Sequence, residues 1–292
     1  MVRADRWSPG CYAAVADRDW DAVVDVTWQP ELVRSALAAL ASSARHWIYV
    51  SSVSVYRAGA EHAAGAIHEP WTGIGVVDIE DYASAKVSCE AACREALPDQ
   101  SVLIARSGLI AGHGDRSERF GYWPTRISAV TSGDQVVLVP PVEHPAQVID
   151  VEDLAGWLAD CAERRTAGTF DAVGDQITLG DVVSACATVA HAEPTLAEPD
   201  QEWLLAKGVN PWAGPDSLPL WLPLPESSGM MSRDNTDGKT AGLTLRPLAD
   251  TVASSLAWET ELGLERERHA GLSRRREQAL LLELLGPTDT CQ

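Results

Sequence analysis

The 292-residue chain is long enough for one large α/β domain, or for a nucleotide-binding domain with a smaller second lobe. Apolar residues make up 46% and charged residues 22% of the chain, which is typical of folded globular proteins and excludes long disordered stretches. The 42 acidic and 23 basic side chains give a net charge of −19, which disfavours nucleic acid or an anionic membrane as a partner.

The cysteines and the longest apolar run indicate the cellular compartment. The six cysteines form no CxxC pair and no cluster with histidine at zinc spacing, so no metal site is predicted. The longest apolar run is far shorter than the ~20 residues that cross a bilayer, and the opening MVRADRWSPG lacks the apolar stretch of a signal peptide. We therefore expect a reduced, cytoplasmic protein with no membrane partner.

The first half of the chain alternates β-rich runs with helical ones, a pattern typical of a parallel sheet covered by helices. Strands are predicted where apolar and β-branched residues run together, and helices where apolar residues recur at helical spacing. The predicted strands are 21–27, 46–52 and 101–108, and the predicted helices are 30–44, which begins with a proline, and 82–96.

Beyond the GHGD turn at 112–115 the pattern is less regular. Thr178 and Asp181 are placed to cap a helix, and Ser273 is placed to cap the last one. The five prolines within 208–226 indicate a structured loop. The predicted strands are 135–141, 146–150 and 169–174, and the predicted helices are 151–165, one that begins near 178, and 273–285.

Three side chains with complementary chemistry fall on these elements. Ser52 ends the strand 46–52, and Tyr82 and Lys86 stand four residues apart on the helix 82–96, which puts them on one face. A tyrosine has an ordinary pKa of about 10, and a nearby ammonium favours its phenolate form. Such a tyrosine can exchange a proton with an alcohol or a carbonyl oxygen while a nicotinamide exchanges the hydride. The alternative interpretation of this spacing is a simple Tyr–Lys contact on a surface helix.

Several segments resemble a known family. YVSSVSVY, YASAK and ARSGLIAGHGD, followed by QVIDVEDLAGWL, are similar to the extended short-chain dehydrogenases, the NAD-dependent epimerase/dehydratase family. RFGYWPTRI, LPLWLP and TAGLTLRPLADTVASSLAW resemble an actinobacterial-type subgroup of epimerases and reductases. The resemblance runs over essentially the whole chain. It implies a Rossmann-like, doubly wound parallel sheet that lacks its first strands, with a smaller C-terminal substrate lobe.

The resemblance also implies roles for individual residues. Ser52 matches the family's catalytic serine or threonine, Tyr82 its general acid/base, and Lys86 the residue that lowers the tyrosine pKa and binds the nicotinamide ribose. For cofactor binding it implies Tyr82 and Lys86 together with Thr27 near the phosphates or adenosine, Ser107, Gly108 and Ile110 on the nicotinamide side, and Asp5 at the adenine.

These matches divide the chain into two parts. Residues 1–115 and 146–175 are expected to form the truncated dinucleotide-binding domain. Residues 116–145 and 176–292 are expected to bind the substrate.

The family's glycine-rich cofactor loop is missing from the sequence. The resemblance implies an opening strand followed by a GxxGxxG turn, whose backbone amides hold the pyrophosphate, and no such motif is present. The strand 21–27 is the fourth in family order, so the chain resembles an N-terminally truncated member, either through a start codon assigned too late or through a real truncation. We therefore expect the polypeptide as written to bind NAD or NADP weakly, with the choice between the two left open.

The substrate class follows from one departure from the family. An asparagine commonly stands in sugar-nucleotide epimerases where this chain has Leu109, which favours a smaller or less polar carbonyl substrate. The predicted function is an NAD(P)-dependent oxidoreductase or epimerase that acts on a small molecule. Two alternatives stay open: a non-catalytic member that senses dinucleotide or acts as a scaffold, and an inactive gene-model fragment. Relatives pair through helices like 82–96, which also leaves a homodimer open.

Overall fold

The computed structural model describes residues 2–59, 65–132 and 135–286. The chain divides into two compact units, each with its own buried apolar cluster. The first unit contains Met1–Gly108, Asp153–Gly174 and Arg233–Thr244. The second contains Leu109–Glu152, Asp175–Ser232 and Leu245–Gln292.

The first unit is built around a parallel sheet. Its strands are β1 (Val23–Asp25), β2 (Trp47–Ser52), β3 (Val102–Ser107) and β8 (Gly168–Ala172). Its helices are α1 (Ala13–Ala16), α2 (Pro30–Leu40), α3 (Tyr82–Ala96), α5 (Val151–Arg164) and α8 (Thr236–Thr240). Helix α5 belongs to this unit from Asp153 onward.

The order of these strands is β1-β2-β3-β8, and every neighbouring pair is parallel. Each strand is separated from the next along the chain by at least one helix, as parallel neighbours require. All six residues of β3 are buried, which explains its nearly continuous apolar sequence. This arrangement confirms the predicted α/β, Rossmann-like fold class.

Two of the helices cover one face of this sheet. Apolar residues of α2, such as Leu37, pack with Cys89 and Cys93 of α3 against β2 and β3. The proline at the first position of α2 suits a helix start, because the missing N–H has no partner there. Within the described residues β1 pairs with β2 alone, and its Val24 is 51% exposed.

The second unit contains short strands and longer helices around its own core. Its strands are β4 (Leu109–Ala111), β5 (Val136–Leu138), β6 (Pro145–Ala146), β7 (Val148–Asp150), β9 (Ile177–Thr178), β10 (Thr195–Ala197), β11 (Asn210–Trp212) and β12 (Ser217–Pro219), and its helices are α4 (Tyr122–Ser128), α6 (Leu179–Ala190), α7 (Gln201–Ala206), α9 (Leu248–Leu262) and α10 (Arg274–Leu285).

The core of the second unit contains large side chains that are fully buried. Trp123 and Trp221 have no exposed surface, and the indole of Trp123 donates to the Pro219 carbonyl at 2.9 Å. This bond satisfies the buried Trp123 N–H, which is favourable because an unpaired donor in the core is costly. The parallel pair β4–β7 and the antiparallel pair β6–β9 border this core.

The division into units differs from the predicted one: 109–115 and 146–152 belong to the second unit, although the sequence analysis assigned them to the dinucleotide-binding part. Arg233–Thr244 packs with the first unit, whereas the sequence analysis assigned it to the substrate part. The cause is local bonding: Arg233 pairs with Asp171 of β8 at 3.1 Å, and the Asn235 amide donates to the Gly174 carbonyl at 2.9 Å. That one part binds dinucleotide and the other substrate stays a prediction.

In the described part of the chain, no helix combines the length and apolarity needed to cross a membrane.

Candidate active site

The site begins at the carboxyl end of the parallel sheet of the first unit. Ser52 and Ser107 are the last residues of neighbouring strands, β2 and β3, and they are paired in register. Thr27 lies two residues beyond the end of β1. Ligands of open α/β sheets bind outside the carboxyl ends of the strands, so these three residues stand at the expected edge.

Helix α3 brings Tyr82 and Lys86 to the same edge. Tyr82 is the first residue of the helix, and Lys86 follows one turn later. The Lys86 ammonium nitrogen lies 5.9 Å from the centroid of the Tyr82 ring and 4.9 Å from that of Tyr49. A cation within about 6 Å of an aromatic ring is attracted to its face. The sequence prediction that these two side chains share one helix face is thus matched by a direct contact.

Lys86 is almost completely enclosed, with 3% of its surface exposed. Its ammonium donates to the backbone carbonyls of Val50 at 2.7 Å, Thr27 at 3.3 Å and Val26 at 3.4 Å. Burial disfavours the charged form and lowers the pKa of Lys86 to about 8, although nearby acidic groups, Asp25 and Glu90 among them, oppose the change. The side chain therefore joins the ends of β1 and β2 and remains protonated at neutral pH.

Ser52 has hydrogen bonds of its own. Its Oγ accepts from the Ser54 backbone N–H at 3.1 Å and donates to the Ser54 hydroxyl at 3.1 Å, which caps the short 3-10 turn Val53–Val55. It stands two residues beyond Val50, the closest acceptor of Lys86. Its place is thus at the predicted strand end, and its catalytic role stays a prediction.

Ser107 and Gly108 fit a close approach by a ligand. The buried Ser107 Oγ has no hydrogen-bond partner among the described residues, which is unusual for a hydroxyl in the core. A Cβ on Gly108 would lie 3.0 Å from the Val173 side chain, so this position next to β8 has little room for any other residue. Both observations concern the end of β3, where the resemblance implies nicotinamide contacts.

Two further predicted residues are Asp5 and Ile110. Asp5 is exposed, and its carboxylate accepts from the Trp7 N–H at 3.0 Å and the Ser8 hydroxyl at 3.1 Å, which stabilises a turn. Ile110 is half-buried in β4 and belongs to the second unit. The cofactor-binding roles of both residues stay predictions.

The structure adds aromatic residues that the sequence analysis did not select. The Trp28 ring lies 5.5 Å from the Tyr82 ring, tilted by 57°. The buried Tyr49 hydroxyl donates to the Thr27 carbonyl at 2.9 Å, beside the Lys86 ammonium. Their positions depend on the parallel pairing of β1 with β2, which a local sequence pattern does not contain.

A loop is also tied to this edge. The Gln29 amide makes two hydrogen bonds with the Val77 backbone, at 3.0 Å and 2.8 Å. The Trp71 backbone N–H donates to the Ser84 carbonyl at 3.1 Å, and the Ser88 hydroxyl donates to the Trp71 carbonyl at 2.8 Å. These bonds hold the chain before α3 against the first turns of that helix.

Comparison with known proteins gives a result at the level of the fold. The sequence matches no protein-family model and no curated protein sequence. Its structure is similar to that of RMD from Pseudomonas aeruginosa complexed with NADPH, at a TM-score of 0.62 and 17% identity over 89% of this chain and 88% of that one. The chain has the extended short-chain dehydrogenase fold. The predicted resemblance is therefore confirmed for the fold.

Two further structures share this extended short-chain dehydrogenase fold. A variant of UDP-glucuronic acid 4-epimerase from Bacillus cereus, in complex with a fluorinated UDP-sugar and NAD, has a TM-score of 0.58 and 14% identity over 89% of this chain and 81% of that one. TunA, an NAD-dependent NDP-hexosamine 5,6-dehydratase, has a TM-score of 0.52 and 16% identity over 80% and 70%.

Proposed function

We propose that the chain is an NAD(P)-dependent oxidoreductase or epimerase that acts on a carbonyl or alcohol group of a small molecule. The observation that carries this proposal is the contact between the Lys86 ammonium and the Tyr82 ring at the carboxyl end of a parallel sheet. The NADPH and NAD bound in two of the similar structures, and the NAD dependence of TunA, support the choice of cofactor.

The residues at the sheet edge fit the nicotinamide end of such a cofactor. The orphaned, buried Ser107 hydroxyl offers a hydrogen bond, and the next residue, Gly108, packs closely against the Val173 side chain. Lys86 and the end of β1 at Thr27 would hold the ribose side. Nicotinamide supplies or accepts the hydride when it is bound.

The chain's own residues would carry the proton. Tyr82 gives a proton to a carbonyl oxygen or takes one from an alcohol, and the nearby Lys86 charge favours the phenolate. Ser52, at the end of β2, orients the reacting oxygen through a hydrogen bond once its hydroxyl turns from Ser54. Trp28 packs against the Tyr82 ring.

Leu109 bears on the class of substrate. Its side chain is 4% exposed and packs in the core of the second unit, so it presents no polar group to a sugar. The similar structures include nucleotide-sugar enzymes, which keeps keto-sugars in the set to be assayed. We propose that aldehydes and ketones of lower polarity react faster than UDP-sugars.

The test is the Tyr82→Phe variant, assayed with NADH and NADPH against aldehydes, ketones and keto-sugars. Removal of the hydroxyl should lower turnover by about 10²- to 10⁴-fold, the usual contribution of general acid–base catalysis. Cofactor affinity, measured by quenching of tryptophan fluorescence, should stay within about twofold, because the hydroxyl moves a proton and contributes little to binding.

The matched control is Tyr12→Phe. Its hydroxyl accepts from Arg6 at 2.8 Å in the same unit, and it should turn over like the wild type. Unchanged turnover in Tyr82→Phe would remove Tyr82 from the mechanism.

The second candidate is a non-catalytic, dinucleotide-sensing member. The bonds from Lys86 to the carbonyls of Val26, Thr27 and Val50 favour it, because they occupy the ammonium with backbone acceptors. Cofactor-dependent fluorescence quenching without turnover of any substrate in the panel would support this candidate over the first.

A further inference from the structure

Helix α3 carries a carboxylate that the proposed reaction does not use. Glu90 has no exposed surface. Its Oε1 accepts from the Ser51 hydroxyl at 2.6 Å and from Arg106 Nε at 2.9 Å, and its Oε2 accepts from Arg106 Nη2 at 2.7 Å. The pair with Arg106 is therefore bidentate, the geometry that fixes a guanidinium in both distance and plane.

The hydrogen bonds continue from Arg106 to Asp171 on β8, the neighbouring strand. Arg106 Nη1 donates to the Tyr56 hydroxyl at 2.9 Å, which in turn donates to Asp171 at 2.8 Å. Arg233 pairs with the other oxygen of Asp171 at 3.1 Å and lies 3.5 Å from the centroid of the Tyr56 ring. One connected network thus joins α3 to β2, β3 and β8.

Stability alone is a poor reason for such a network. A buried ion pair loses the hydration of both charges, and replacing it with apolar side chains of similar volume is often neutral or stabilising. What a bidentate pair provides instead is a single geometry. The role of the Glu90–Arg106 pair therefore depends on which neighbouring side chains it holds in place.

The contacts of Glu90 adjoin the predicted site residues. Glu90 stands one helical turn beyond Lys86 and two turns beyond Tyr82 on α3. Its partner Ser51 directly precedes Ser52 on β2, and its partner Arg106 directly precedes Ser107 on β3. A shift of this carboxylate would therefore move the helix that carries the phenol relative to both strand ends.

We infer that Glu90 is a positioning residue, whose buried carboxylate fixes α3 to β2 and β3 and so holds Tyr82 and Lys86 against the sheet edge. This inference rests on the proposed function only in the experiments that measure turnover. Arg106, the other member of this ion pair, shares the positioning role.

Electrostatics supports the geometry. Burial alone would raise the pKa of Glu90, but the bonds from Arg106 and Ser51 outweigh it and hold the pKa below its usual value. Glu90 is therefore a permanent negative charge one turn from a buried ammonium. The other groups that act on Lys86 are the Asp25 carboxylate on β1, the Cys89 and Cys93 thiols on α3, and the Tyr49 and Tyr82 rings.

The experiment compares Glu90→Gln with Arg94→Gln. The first variant removes the buried charge and keeps the side-chain size. The second removes a partner of the same carboxylate, at 3.2 Å, from a side chain that is 41% exposed, and it leaves Ser51 and Arg106 in place. We expect Glu90→Gln to lower kcat on the order of 10- to 100-fold, because misplaced catalytic groups react more slowly. KM for the cofactor should stay within about threefold. Arg94→Gln should resemble the wild type in both parameters.

Two pH readouts separate positioning from general damage. Loss of the Glu90 charge should move the alkaline limb of the kcat profile to lower pH, because Lys86 then loses its proton sooner. The second readout needs no substrate: the tyrosinate absorbance of each protein, minus that of the same protein with Tyr82→Phe, gives the ionisation of Tyr82. We expect this ionisation to require a higher pH in Glu90→Gln than in Arg94→Gln, because the Lys86 ammonium that favours the phenolate is then misplaced or loses its proton sooner.

Every outcome bears on the inference. A folded Glu90→Gln protein with wild-type kcat and an unshifted Tyr82 titration overturns it. If Glu90→Gln does not fold, the double variant Glu90→Leu/Arg106→Met removes both charges, and wild-type turnover and titration in that protein would overturn the inference. Absence of turnover in the wild type counts against the proposed function, while the Tyr82 titration still decides the role of Glu90.

Discussion

Lys86 places an ammonium group where almost no water reaches it. Its three backbone acceptors come from the ends of β1 and β2, so the charge is solvated by carbonyl dipoles instead of by a carboxylate in direct contact. Such an arrangement compensates only part of the desolvation, and its pKa falls accordingly from 10.5 to about 8. A small change in the local charge then decides whether the group is protonated near neutral pH.

This lowered pKa predicts a pH-dependent contribution to stability. Between about pH 8 and pH 10.5 the unfolded chain keeps the Lys86 proton and the folded chain has lost it, so the unfolded state binds more protons. The free energy of unfolding contributed by Lys86 therefore rises with pH across this window, by about 3 kcal/mol in all. Denaturant unfolding of the wild type and of Lys86→Met at both ends of the window measures the difference.

The comparison between the two proteins isolates this one group. Burial also raises the pKa of Cys89, to about 11, which lowers stability as the pH rises, but that thiol is present in both proteins. The wild type should gain relative to Lys86→Met as the pH rises. Parallel stability curves for the two proteins would contradict the lowered pKa.

Residue-scale prediction from the sequence succeeded where the relevant contact is local. Tyr82 and Lys86 are one turn apart, so helix geometry alone places them together. The Lys86 contacts with Val26 and Val50 could not be predicted, because they depend on which strands become neighbours. Glu90 had a usable signal: Arg106 stands within a buried apolar strand, and such a residue requires a buried acid as its partner.

At the scale of secondary-structure elements, predictions were accurate where capping signals and periodicity agree. Helix α3 has the predicted bounds, Tyr82–Ala96. Ser273 caps α10 and Thr178 caps α6, both as predicted. Helix α9 was not predicted, because its buried side includes Thr251, Ser255 and Glu259 and therefore shows no apolar period.

The proline-rich segment shows the opposite case. The sequence predicts a structured loop over 208–226, and the structure contains the parallel pair β11–β12 there. Prolines remove N–H donors and are confined to edge positions in sheets, so they normally argue against strands. Each of these strands has only three residues, which are too few to show the alternation of apolar and polar residues that identifies a strand.

The capping box of α6 makes a prediction for one element. The Thr178 hydroxyl accepts from the Asp181 N–H at 3.1 Å, and the Asp181 carboxylate accepts from the Thr178 N–H at 2.8 Å. Thr178→Ala removes the first bond and should lower the free energy of unfolding by about 1 kcal/mol. Thr188→Ala, on the exposed side of the same helix, is the control and should change it by less than about 0.5 kcal/mol. Equal effects in urea unfolding would show that the cap adds nothing.

At the scale of the whole molecule, the balance of charges matters more than any single pair. The net charge of −19 means that many acidic side chains have no basic counterpart, and their mutual repulsion disfavours the compact state. Several of the basic side chains are engaged in buried pairs, such as Arg106 with Glu90 and Arg126 with Glu277. Each such pair uses one charge of each sign, so the excess of 19 negative charges falls on the remaining side chains.

Salt should therefore stabilise this protein. Raising sodium chloride from low concentration to about 0.15 M shortens the Debye length to about 8 Å, which screens repulsion between exposed carboxylates but hardly affects the enclosed Glu90–Arg106 pair. We expect Tm to rise by about 2–4 °C for each kcal/mol of repulsion removed. An uncharged solute at the same osmolality is the control, since it changes the solvent without screening. A fall in Tm with salt would mean that surface ion pairs, such as the exposed Arg45–Asp21 contact, contribute more than the excess negative charge removes.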